Sequence, residues 1–282
     1  MAHDLPVSPE FHSKFKWIKK LGNGSFGAVY LFEYRRTREK FACKLALDSE
    51  AQALLMREAA IVKELHHPNI IEFVSSQFSW EEQPFCLIMA YHPLGSLDNY
   101  RFSHQETQEV TRQCLRALQY LEAKTIFHRD IKQDNILLKS TSPLHVCLAD
   151  FGLAVTSREG AMEGGQFTHI AVEVYLGCRY SYIADVWSLG VTALSLLRRF
   201  PEREAQRFLQ LVQDQAKAAA FYEKLMAEAS SLRGYFGELV KHMLCAPADR
   251  WTAAECLLYL EDSPDTATNH RRGHDHSTRR RR

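Results

Sequence analysis

With 282 residues, 46% of them hydrophobic and 24% charged, the sequence is that of a folded body with a substantial core, not of a disordered chain. A formal net charge of +1 gives no general attraction to nucleic acid or membrane surfaces, and no apolar run reaches the roughly 18 residues of a membrane-spanning helix. Seven scattered cysteines without a Cys-x-x-Cys pair, and a start lacking the basic and apolar regions of a secretory signal, suit a reducing cytosolic or nuclear setting.

In chain order, residues 1–14 form an extension, and runs rich in aromatic, β-branched and aliphatic residues predict strands at 15–21, 28–34 and 40–47, joined as an antiparallel meander. Apolar residues at Ala51, Leu54, Leu55, Ala59, Val62 and Leu65 keep a near-3.6 period and predict a helix over 50–65, stopped by His66-His67-Pro68. IIEFVSSQF and FCLIMAY add two strands to the same sheet. Beyond His92, Pro93 and Gly95 helical periodicity takes over, with helices expected at 106–123, 184–197, 204–217, 221–228, 235–244 and 252–260. The architecture is therefore α+β and bilobal, with a small antiparallel-sheet lobe over 15–91, a connection at 90–95 and a larger helical lobe over 95–260. A ligand cleft is expected at the junction.

Three groups of residues carry chemistry. Gly22-Asn23-Gly24-Ser25-Phe26-Gly27-Ala28-Val29 is a G-x-G-x-x-G-x-V run between two strands, either a flap whose backbone N–H groups close over phosphates or a glycine-rich hairpin without a ligand. Lys44 ends an apolar strand and Glu58 follows on the helix, either as a buried cation with its partner or as two solvated charges. The third and strongest is His128-Arg129-Asp130-Ile131-Lys132-Gln133-Asp134-Asn135, followed by an apolar stretch and Asp150-Phe151-Gly152.

In this order the motifs resemble those of eukaryotic protein kinases of the Ser/Thr type: glycine flap, strand lysine, helix glutamate, the H-R-D-x-K-x-x-N loop and D-F-G. Ala171-Val172-Glu173, Asp185-Val186-Trp187-Ser188-Leu189-Gly190 and Asp249-Arg250-Trp251 extend the match, which covers roughly residues 15–260. The resemblance implies an enzyme that moves the γ-phosphoryl group of ATP to Ser or Thr hydroxyls of proteins. Asp130 would take the hydroxyl proton, Lys132 would attend the transferred group, and Lys44, held by Glu58, would anchor phosphates. Asn135 and Asp150 would ligate Mg²⁺. The nucleotide site would comprise Leu21, Gly22, Gly24, Gly27, Val29, Ala42, Lys44, Glu58, Met89, Ala90, Tyr91, Asn135, Leu137 and Asp150. Val62, Phe73, His128 and Phe151 would stack across the lobes, although each could equally be plain core. Lysine at position 132 marks the Ser/Thr acceptor class, and Glu173 should pair with Arg250.

Departures stand at Val172, in place of a proline, at Ala90, and at Gln166, in place of a threonine that touches the catalytic aspartate and lysine; Thr168 is the candidate substitute. They keep open a scaffold that binds nucleotide without transfer, while a small-molecule kinase is disfavoured by the Ala-x-Glu segment. Thr156, Ser157 and Thr168 are candidate phosphorylation sites facing Arg129, a role Glu159 and Glu163 could partly serve. The expected partners are ATP and Ser/Thr-bearing proteins, with no membrane and no specific nucleic acid, and the chain is expected to be a monomer. The tail over 261–282 reads as disordered and basic, with six arginines against one aspartate over 270–282. It could serve nuclear localisation or polyanion binding, and His270, His274 and His276 form a weak metal option.

Overall fold

The computed structural model describes residues 9–24, 27–46, 48–77, 86–156, 167–178, 181–210 and 215–262. Strands β1 (Phe15–Gly24), β2 (Gly27–Tyr34), β3 (Lys40–Leu45), β4 (Phe73–Gln77) and β5 (Cys86–Ala90) form one antiparallel sheet in the order β1-β2-β3-β5-β4. Successive side chains of a strand point to opposite faces. In β3, Cys43 and Leu45 therefore join an outer aromatic layer with Phe15 and Phe32, while Ala42 and Lys44 face the cleft. Phe11, on the short helix α1 (Pro9–Lys14), seals that outer layer, stacked on Phe15 at 4.6 Å and edge-on to Phe32 at 5.0 Å. The sequence offered no sign of α1, because six residues are too few to show a period.

Helix α2 (Ser49–Lys63) begins where the Asp48 carboxylate accepts the Ala51 N–H at 2.8 Å. It buries Ala51, Leu55, Glu58, Ala59 and Val62 against the sheet. The strand expected from Ile70 starts only at Phe73. Ile71 donates its N–H to the Leu148 carbonyl and Leu148 donates to Asn69, so these residues anchor the sheet lobe to the hairpin of β6 (Ile136–Thr141) and β7 (Leu144–Leu148). That hairpin, read from sequence only as an apolar stretch, lies between the two chemical motifs.

The second lobe is helical: α3 (His104–Ala123), α4 (Val172–Tyr175), α5 (Tyr182–Leu196), α6 (Glu202–Gln210), α7 (Gln215–Ser231), α8 (Gly234–Met243) and α9 (Ala253–Glu261). Capping boxes at Ser103/Glu106 and Thr252/Glu255 start α3 and α9. One expected helix boundary is wrong. The break expected between 217 and 221 is absent, since α7 runs through both positions, and residues 211–214 lie outside the described residues. Ala218, Phe221, Tyr222, Leu225 and Ala229 share one buried stripe, and no Gly or Pro punctuates the polar stretch before it.

Helix α5 is enclosed on nearly every side, and a Cβ on Gly190 would meet Leu244 at 2.9 Å and Met243 at 3.0 Å. Beside it, the Arg250 guanidinium is bidentate to Glu173, donates to the carbonyls of Ile183 and Cys245, and lies 4.8 Å from the Trp187 ring. Removing one partner of a buried pair leaves the other charge uncompensated. Arg250→Met is therefore expected to lower unfolding free energy by about 3–5 kcal/mol, read as a reduced urea midpoint at unchanged slope; a loss under about 1 kcal/mol would contradict this packing.

Candidate active site

A cleft of about 410 Å³ opens between the sheet, the connecting segment and the β6–β7 hairpin. Of the residues expected at a nucleotide site, Leu21, Gly22, Val29, Ala42, Lys44, Glu58, Met89, Ala90, Tyr91, Asn135, Leu137 and Asp150 line it. Gly27 does not. It pairs with Gly24 at the end of the β1–β2 ladder, and a Cβ on Gly27 would lie 2.2 Å from the Leu45 carbonyl oxygen, so the sheet itself demands glycine there. Ser25 and Phe26 lie outside the described residues. Sequence reasoning missed Lys19, Ile71, Asp134 and Ala149, which also line the cleft. Of these, Asp134, beside Asn135, and Ala149, beside Asp150, carried a positional hint.

Lys44 is 2% exposed, and its ammonium donates to Glu58 Oε2 and to Asp150 Oδ1, each at 2.7 Å. Burial pushes the Glu58 carboxyl up to about 7, against the opposing pull of Lys44. Burial acts the same way on Asp150, but the Lys44 charge and hydrogen bond outweigh it and hold that carboxyl below its usual range. Burial would lower Lys44, and the two carboxylates reverse the sign and raise it. Thus one cation joins β3, α2 and the segment after β7.

Asp130 and Lys132 are on the loop between α3 and β6, beside the cleft-lining Asn135. The Lys132 ammonium is 3.0 and 2.9 Å from the two Asp130 oxygens. Asn135 donates its amide N–H groups to the Asp130 carbonyl at 2.9 Å and to its carboxylate at 2.7 Å, which turns the amide oxygen away from Asp130. That oxygen and the Asp150 carboxylate are hard donors of the type Mg²⁺ takes. Among the described residues no group of three or more His, Cys, Asp or Glu is placed to hold a metal. A two-donor protein site fits an ion that completes its shell with phosphate oxygens and water.

The loop's backbone is fixed from below. Asp185 on α5 accepts the N–H groups of His128 and Arg129, both at 2.9 Å. This holds Arg129 at φ +67°, a left-handed conformation that a non-glycine side chain disfavours. Buried His128 meets Phe151 at 4.6 Å, while Val62 and Phe151 share the main core with Phe73 packed against it. This accords with the stacking expected across the lobes.

In the following segment, Gln166, Ser157, Glu159 and Glu163 lie outside the described residues, as does the tail from 263. Thr168 is 2% exposed with Oγ1 3.1 Å from the His169 ring Nδ1. It bonds that histidine, and a hydroxyl so enclosed is a poor phosphorylation site in this conformation. Thr156 is exposed.

The family model for the protein kinase domain matches residues 15–259. Serine/threonine-protein kinase TAO1-B of Xenopus laevis is 32% identical over 275 residues, 89% of this chain and 26% of its own length. A probable myosin light chain kinase of Dictyostelium discoideum is 32% identical over 196 residues, 65% of this chain and 62% of its own length. The chain thus spans about a quarter of the first relative and less than two thirds of the second.

The Lys44 network makes a non-additive prediction. Lys44→Met strands Glu58 without its buried partner and is expected to destabilise by about 3–5 kcal/mol, whereas the double variant Lys44→Met/Glu58→Leu should recover part of that loss. Thermal and urea unfolding of the two single variants and the double variant measure this, and strictly additive losses would contradict the pairing.

Proposed function

Because this chain belongs to the protein kinase family, we propose that it transfers the γ-phosphoryl group of ATP to serine and threonine hydroxyls of protein substrates. The observation that carries the reading is the assembly, around one cleft, of Lys44 tied to Glu58 and Asp150 beside Asp130 tied to Lys132 and Asn135. Each of these residues is charged or polar and largely buried, an arrangement that packing alone does not favour. The two relatives, both described as kinases, support the reaction class.

Phosphoryl transfer passes through a loose transition state with charge spread over the equatorial oxygens, so the protein's part is placement and neutralisation. The adenine would lie between Val29, Ala42 and Leu137, against the backbone of Ala90 and Tyr91. Lys44 would offer its ammonium to phosphate oxygens while Glu58 keeps it in place, since three donors suffice for both carboxylates and a phosphate. Asn135 and Asp150 would hold Mg²⁺, which supplies charge neutralisation on the phosphate oxygens. Asp130 would orient the acceptor hydroxyl and accept its proton. Lys132, now on the Asp130 carboxylate, would turn toward the transferred group as the hydroxyl takes its place.

Seven free thiols accord with a reducing cytosolic or nuclear setting. The binding-only alternative gains nothing from the site, since none of the ion-pair residues is missing.

Incubation with γ-labelled ATP, Mg²⁺ and Ser- or Thr-bearing peptides is expected to label the peptides. Asp130→Asn should reduce the rate by about 10²–10⁴-fold while leaving the thermal shift by ATP in place; equal labelling by variant and wild type would remove the assignment.

A further inference from the structure

The helical lobe ends on a partly exposed aromatic face. Four rings from α8, α9 and the segment between them form a ladder there: Tyr235 stacks on Tyr259 with centroids 4.0 Å apart, Tyr259 meets Trp251 at 5.1 Å, and Trp251 stacks on His242 at 3.7 Å. None of the four is fully buried, and Leu258, beside Tyr259 on α9, is 62% exposed. Elsewhere cations lie over rings, Lys124 over Tyr120 and Arg250 over Trp187; among the described residues none lies over these four.

The charge of this face is one-sided. Residues 234–262 hold five acidic residues against two basic ones, and one of the two, Arg250, is buried against Glu173. Glu238 is engaged by Lys241, and Glu255 caps the start of α9, so the excess falls on the other end of that helix. The C-terminal end of a helix carries partial negative charge and favours Lys, Arg or His. Helix α8 ends that way, on Lys241 and His242, whereas α9 has no basic residue in its last turn, ends on Glu261 and is capped by Asp262. Two exposed carboxylates at the negative end of a helix call for cations that α9 does not itself supply.

The chain brings those cations immediately afterwards. Residues 270–282 carry six arginines against one aspartate and lie outside the described residues. The nine residues from Asp262 to Arg271 span at most about 30 Å when extended, whereas Tyr235 and His242 are separated by about 10 Å of helix rise on α8. Arg271 and Arg272 can therefore reach every ring of the ladder. A guanidinium stacks on an aromatic face and also pairs with a carboxylate, which an ammonium does less well. Tethering over so short a linker gives an effective concentration in the millimolar range, enough for contacts too weak to hold a separate peptide. The sheet lobe is the wrong destination for such a segment, since residues 9–46 carry nine Lys and Arg against three Glu.

We propose that the arginine-rich segment 270–282 docks on the α8–α9 face of its own chain, its guanidinium groups set against Tyr235, Tyr259 and Trp251 and paired with Glu261 and Asp262. The docked tail gives α9 the positive end charge that its own last turn lacks. A polyanion that binds the tail competes with this face for the same arginines, so docking sets when the tail is available. This docking needs nothing from the chemistry of the cleft.

Trypsin cleavage after Arg271 and Arg272 in the full-length protein, followed by mass spectrometry, reads the docking, because cleavage of a rapidly opening segment tracks the population of its open form. At about 0.01 M salt the tail is expected to be cut about fivefold or more slowly than a synthetic peptide of residues 263–282. About 1 M salt, where the Debye length falls to roughly 3 Å, should remove most of that difference. Glu261→Gln/Asp262→Asn and, separately, Tyr259→Leu should each bring cleavage toward the peptide's rate. Where Tyr259→Leu fails to fold, the charge variant, whose side chains are exposed, decides alone. Cleavage of wild type at the peptide's rate, protection unchanged in the charge variant, or protection that grows with protein concentration, making a second copy the occupant, would overturn the proposal.

Discussion

The structure turns on a single cation that has no water to dissolve it. Lys44 is 2% exposed, and an ammonium taken from water loses several kcal/mol that only close partners restore. Glu58 and Asp150 provide them at 2.7 Å each, one from the sheet lobe's helix and one from the other lobe. Attraction of this kind is worth about 4 kcal/mol per pair at an effective dielectric of 20, so it roughly balances desolvation and adds little net stability. What it fixes is geometry. If α2 rotated outward, the ammonium would lose one of its two partners while remaining buried, so the position of α2 and the charge state of the cleft are one variable.

Helix α5 plays the corresponding part in the helical lobe. Enclosed on nearly every face, with Gly190 packed against Leu244, it has no freedom to shift. It extends rigid hydrogen-bonding groups in two directions: Asp185 to the backbone of the Asp130 loop and Ser188 to the segment that carries His169. Arg129 at φ +67° shows the consequence, since a left-handed non-glycine residue costs on the order of 1–3 kcal/mol and persists only where its surroundings over-determine it. Two buried N–H groups pointing at one carboxylate supply that constraint.

These two halves were unequally legible in the sequence. Asp130, Asn135 and Asp150 stood out because they sit in short motifs that resemble the kinase H-R-D-x-K-x-x-N loop and D-F-G, and Lys44 followed from the order of those motifs, since alone it read equally as a solvated charge. The sheet followed from short runs rich in aromatic, β-branched and aliphatic residues, and α2 and α3 from clear apolar stripes. Other features were hidden. The helix expected to stop at 217 and resume at 221 runs on through Gln215–Ser231, where no Gly or Pro marks a break. The β6–β7 hairpin looked like one apolar run because its strands are short and buried. Glycine at 24 and 27 was read as phosphate approach, whereas at Gly27 the close Leu45 carbonyl is reason enough. His169 belongs to no periodic pattern: its burial comes from Phe200, Ser188 and Thr168, which only tertiary structure brings together.

The neutrality of His169 follows from that same burial, and it matters because of what lies nearby. A protonated imidazole would place a second positive charge near Lys132 and compete with it for the Asp130 carboxylate that Lys132 now holds at 2.9 and 3.0 Å. The enclosed ring avoids that competition: burial and Lys132 both disfavour its charged form, and only Asp130 favours it. An uncharged hydrogen-bonding atom can therefore sit near the Asp130–Lys132 pair without altering the electrostatics of that pair. A side chain that carries charge at ordinary pH could not, which gives a physical reason for a buried imidazole, and not a lysine or a carboxylate, at this position.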